Sequence, residues 1–81
     1  MAQIPTDEEV GMKILKIFGE FNVRPGKMLM LRNIDSKIES YECCVEDTQR
    51  GCQWLLDNGH IEQRNDRSDN LFLTESGFSL I

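Results

Sequence analysis

Apolar positions recur with a helical period through most of this chain and then switch to alternation. Val10, Ile14, Ile17, Phe18 and Phe21 fall at i, i+4, i+7, i+8 and i+11, one stripe that predicts an amphipathic helix of about four turns. Its start is marked by Thr6 as N-cap with Glu9 three residues on, and Asp7 and Glu8 favour the positive end of the helix dipole. Asn22 and then Pro25-Gly26 end it. Lys27 to Met30 reads as one brief strand after that turn. A second helix is predicted from Leu31 to Ser40, with Leu31, Ile34, Ile38 and Tyr41 inward and Arg32, Asn33, Ser36 and Glu39 outward; its start lacks a good cap.

The third helix carries Val45, Thr48, Cys52, Leu55 and Leu56 on one face, and Asn58-Gly59 closes it with glycine in the left-handed position. Only a tight turn fits between Ser40 and Val45, so the second and third helices form a helix–turn–helix unit. Gly51 beside the stripe costs about 1 kcal/mol relative to Ala in a helix interior, which a close approach by a neighbouring helix would explain. Trp54 lies about 180° from Val45 at 100° per residue, away from that stripe. After Gly59 the period becomes two. Ile61 and Gln63 share one side of a strand, with His60, Glu62 and Arg64 on the other; Asn65 to Asn70 is a polar turn, and Leu71-Phe72-Leu73 is the returning strand. Thr74 to Gly77 turns into an apolar tail, Phe78-Ser79-Leu80-Ile81. The expected class is α+β: a three-helix core followed by a two-stranded hairpin.

With 81 residues, of which 40 % are hydrophobic and 28 % charged, the chain is one small globular domain, residues 1–5 being a loose lead-in. A net charge of −5 excludes a generic polycation that coats nucleic acid or anionic lipid. No apolar run approaches the roughly 20 residues of a membrane span, and no signal-peptide core follows Met1, so a cytoplasmic protein is expected. Cys43, Cys44 and Cys52 are an odd count without a secretory signal and lack the spacing of a zinc knuckle. Reduced thiols serving as small apolar residues are the expected reading, with a redox switch at Cys43 as the alternative. Glu42 and Glu46 beside it would raise its thiol pKa rather than lower it. His60 reads as a surface residue, Met12, Met28 and Met30 as core filler, and Asp35 with Glu39 as a solvated face. No nucleophile–base grouping, phosphate loop or metal box appears, so neither an enzyme nor a cofactor is expected.

Trp54-Leu55-Leu56-Asp57-Asn58-Gly59-His60-Ile61-Glu62 resembles the end of the third helix in the winged helix-turn-helix domains of small bacterial transcription regulators. Leu73-Thr74-Glu75-Ser76-Gly77-Phe78 resembles the Leu-Thr-x-x-Gly close of their wing, and the resemblance spans about residues 7 to 78. It implies a double-stranded DNA partner, with the third helix in the major groove and the hairpin on the backbone. Carried over, Arg50, Gln49 and Gln53 would read base edges, Arg64 and Arg67 would meet phosphate from the wing, and Arg32 and Lys37 would support them from the second helix. The groove face would also hold Glu46, Asp47, Trp54 and Asp57. Those charges point another way. Between Glu42 and Asp57 four acids accompany one base, and phosphate attraction supplies most non-specific DNA affinity. The alternative is a protein-interaction module on the same frame, using the acidic third helix and an outward Trp54. The tail residues Phe78, Leu80 and Ile81 must then cover the domain itself, at the first helix or Trp54, or pair two copies; a homodimer is the expectation.

Overall fold

The computed structural model describes residues 6–63 and 70–81, and only the backbone of Val45. Among them the chain is α+β, with four α-helices and one three-stranded antiparallel sheet. In order these are α1 (Asp7–Glu20), β1 (Met28–Met30), α2 (Leu31–Ile38), a 3-10 turn (Glu39–Tyr41), α3 (Val45–Asp57), β2 (Ile61–Glu62), β3 (Asn70–Leu73) and α4 (Glu75–Phe78). Thr6 caps α1 as its position requires, its Oγ1 accepting from the Glu9 N–H at 3.1 Å. The expected start of α2 without a cap also stands, since Met30 offers no side-chain acceptor.

Three helical segments end in the same way. After α1, the Val23 N–H donates to the Phe18 carbonyl and the Asn22 N–H to Gly19. After the 3-10 turn, Cys43 donates to Ile38 and Glu42 to Glu39; after α3, His60 donates to Leu55 and Gly59 to Leu56. Each is a Schellman closure, and each needs a left-handed residue just past the helix. Asn22 (φ 55°), Glu42 (φ 64°) and Gly59 (φ 74°) fill those positions. Asn and Gly suit that conformation, whereas a glutamate there carries a Cβ clash of roughly 1–2 kcal/mol. Glu42→Gly is therefore expected to raise stability by about 1 kcal/mol, read as a higher midpoint in chemical denaturation.

The core lies between α1, α2, α3 and one face of the sheet. Val10, Ile14, Leu15, Ile17 and Phe18 from α1 meet Ile34 and Ile38, Leu55, Ile61, Leu71 and Leu73. The principal contact is α1 on α3, and it is close because two glycines face each other. A Cβ added at Gly51 would lie 2.5 Å from Val10 Cγ1 and 3.0 Å from the Gly11 backbone nitrogen. Gly51 thus admits the neighbouring helix, as its place beside the stripe implied.

Several details differ from the pattern reading. Phe21 is 41 % exposed, because it is the cap residue beyond the last turn of α1 and not part of its buried stripe. The second helix stops at Ile38 and tightens into the 3-10 turn instead of running to Ser40. β1 joins the hairpin as a third strand: β3 is central, with Met28 opposite Phe72 and Ile61 opposite Leu73. Thr74 to Gly77 is not a plain turn; Thr74 Oγ1 accepts from the Gly77 N–H and starts the single turn α4. The polar turn at 65–69, together with Arg64, lies outside the described residues.

Candidate functional site

Burial of Gly51, Leu55, Thr48 and Cys52 sets the inward face of α3. That face is rotated from the expected stripe, leaving Leu56 half-buried and turning Glu46, Gln49, Gln53 and Asp57 into solvent. Trp54 is half-buried. Its ring lies over α1, where a Cβ at Gly11 would come within 2.7 Å of Cε3, and it tilts against the His60 ring at 5.5 Å between centroids. His60 is held in turn by Ser76, its Nδ1 lying 2.9 Å from Oγ.

Arg50 does not extend from the outward face. Its Nη2 donates to Asp47 Oδ1 at 2.7 Å and its Nη1 to Asp7 Oδ1 at 3.0 Å, tying α3 to the first turn of α1. The guanidinium holds the Asp47 carboxyl below the usual carboxylate range, helped by the side chain and N–H of Cys44. A carboxyl so depressed contributes stability above the ordinary carboxylate range and loses it as pH falls through the lowered value. Gln53 is engaged as well, donating to Asp57 Oδ1 at 2.9 Å. Gln49 is exposed. On α2, Arg32 and Lys37 are exposed, and neither has a carboxylate within ion-pair distance among the described residues. The sequence-predicted wing contacts Arg64 and Arg67 lie outside the described residues.

Between α2, α3 and β3 opens a groove of about 340 Å³, which the sequence reading missed. Leu31, Leu56 and Leu71 give it apolar walls, and Gln49 and Gln53 stand at its α3 side. Thr48 lines it too, 1 % exposed, with an Oγ1 that has no hydrogen-bond partner. A buried hydroxyl left unpaired costs about 1–3 kcal/mol. The one signal in the sequence was Thr48 itself, a polar residue on an otherwise apolar face.

Two of the three cysteines are small buried residues, as expected, and all three are free; Cys44 is exposed instead. Burial pushes the Cys52 thiol up to about 12, with Asp35 adding to the rise. Titration of the native chain with a thiol-specific disulfide reagent at pH 8 is expected to count one fast thiol, Cys44. Cys43 and Cys52 should appear only after unfolding; a second fast thiol in the folded chain would contradict this burial pattern.

The tail docks on its own domain. Ile81 Cγ2 would lie 2.8 Å from a Cβ at Gly19, so the terminus reaches α1, while Phe78, Leu80 and Ile81 stay 38, 42 and 49 % exposed. Among the described residues no helix is long and apolar enough to cross a membrane, and no group of three or more His, Cys, Asp or Glu side chains could hold a metal ion. Comparison with family models, with curated proteins and with solved structures returned no match for this chain.

Proposed function

We propose that this chain is a winged-helix module that binds a protein partner through the outward face of α3 and does not read duplex DNA with that helix. The observation that carries the reading is the Asp7–Arg50–Asp47 clamp. Arg50 is the one base on α3, and two carboxylates already occupy it. What remains outward is Glu46, Gln49, Gln53 and Asp57, a face that repels phosphate. From Arg32 to Asp69 the chain carries nine acidic residues and five basic ones, so the surroundings add to the repulsion. Titrating the ¹⁵N-labelled chain with specific-length and random duplexes at low salt tests this. The expected result is no shift along α3; salt-dependent shifts at Gln49, Arg50 and Gln53 would overturn it.

A second reading rests on Arg32 and Lys37, which are exposed on α2 and unclaimed by carboxylates among the described residues. On it, the small bacterial regulators that the sequence resembles supply the function: the module is a DNA-binding transcriptional regulator that engages the duplex backbone from α2 and the wing. The same titration would then move α2 first, and the two α2 bases alone would contribute about −1.8 to the log–log salt slope, the wing adding to it. Pairing of two copies through Phe78, Leu80 and Ile81 belongs to either reading, and light scattering at high concentration decides it, a monomer leaving the tail as an intramolecular cover.

A further inference from the structure

We propose that the outer edge of β1 takes up an extended acidic segment of a partner protein as one more strand of the sheet. This edge and the outward face of α3 are different surfaces, and binding at one does not depend on the other. The order β1-β3-β2 leaves β1 paired on one side only. The Lys27 carbonyl accepts from the Leu73 N–H at 3.0 Å, and Leu29 stands opposite Leu71. Bonding residues alternate along an antiparallel pair, so the N–H and C=O of Met28 and the N–H of Met30 point away from β3. Among the described residues no backbone group outside the sheet bonds to them. Such an edge is a template for a further strand. Met28 is exposed and stands opposite half-buried Phe72, so the row already holds apolar neighbours for an incoming side chain.

Charge selects the kind of strand. Residues 21–34 hold Arg24, Lys27 and Arg32 and no acid, in a chain whose net charge is −5. All three are exposed, and none has a carboxylate within ion-pair distance among the described residues. Lys27 directly precedes β1. Arg32 lies just past its other end, where Nη2 donates to Met30 Sδ at 3.7 Å and so keeps the guanidinium beside the strand. Bases thus flank the edge at both ends. The acid in the same cross-strand row, Glu62, is on β2, beyond β3. A second copy pairing β1 on β1 would set one basic run against the other, which like charges oppose. A short run of β-branched or aromatic residues with Asp or Glu on either side matches both the edge and its bases.

Selection of random displayed peptides on the immobilised full-length chain, followed by NMR titration of an enriched peptide, tests the proposal. The expected peptides carry acidic residues around a β-branched or aromatic run, shift Lys27 to Met30 and slow hydrogen exchange at the Met28 amide. N-methylation of the peptide should read out the pairing: a methyl on an amide that faces β1 abolishes binding, and one on the adjacent amide leaves it. Lys27→Glu with Arg32→Glu, both at exposed positions, should weaken binding by roughly tenfold or more with unchanged circular dichroism. Met28→Pro removes the outward N–H and no ladder bond, and should weaken binding in the same way. Enriched peptides without an acid, binding indifferent to every N-methyl position, or no enrichment at all would overturn the edge. Peptides that shift only Gln49 and Gln53 would overturn it too and leave the reading of α3 standing. Duplex DNA shifting Lys27 and Arg32 where acidic peptides do not would assign these bases to phosphate, and would also overturn it.

Discussion

Phe18→Ala is expected to leave the chain on the edge of unfolding at 37 °C. Phe18 is fully buried near the end of α1, and its carbonyl also receives the Val23 N–H that closes the helix. Truncating a buried phenylalanine removes about 3–5 kcal/mol through lost transfer energy and the cavity left behind. A domain of this size has roughly 4–12 kcal/mol in total, at 0.05–0.15 kcal/mol per residue. The measurement is urea denaturation followed by circular dichroism. A loss below about 1 kcal/mol would mean that Val23 and Leu15 collapse into the space.

Gly51→Ala is expected to lower the thermal midpoint by about 5–15 °C, against the usual gain from replacing a helical glycine. Helix propensity alone would favour alanine by about 1 kcal/mol. The new methyl, however, meets Val10 Cγ1 at 2.5 Å, Ile14 Cδ1 at 2.8 Å and the Gly11 nitrogen at 3.0 Å. The last is backbone and cannot step aside as a side chain can, so α1 must move off α3. Overpacking against backbone belongs at the upper end of about 1–3 kcal/mol, which leaves a net loss of about 1–2 kcal/mol after the propensity gain, and each kcal/mol is worth about 4–8 °C in a domain this small. A midpoint that rises would show that the two helices can separate without loss.

Much of the fold was legible because single residues carry its geometry. Thr6 must cap, Asn22 and Gly59 suit a left-handed position, and the stripe of α1 needs something to cover it. The end of the second helix was not legible at its true position. Glu42 takes the left-handed conformation although nothing in its chemistry asks for it, and the tertiary contacts of Ile38 and Cys43 impose it. β1 was legible as a strand but not as a member of the hairpin's sheet, since pairing depends on a partner some forty residues away in the chain. At the site, the residue types on α3 were readable and their engagement was not. Arg50 reads as a base-contacting side chain until Asp7, on another helix, is placed beside it. The groove belongs to three elements at once, so no local pattern announces it.

The order β1-β3-β2 also sets when the molecule can be finished. Helices α1, α2 and α3 all precede β3 in the chain, so the packing of α1 on α3 can form before the sheet does. β1 has nothing to pair with until Asn70 to Leu73 arrive, because Leu29 bonds across to Leu71. A nascent chain therefore carries β1, with exposed Met28, as an unsatisfied edge until β3 has been made. The central strand is the last to be made, and it closes both sides of the sheet in one step.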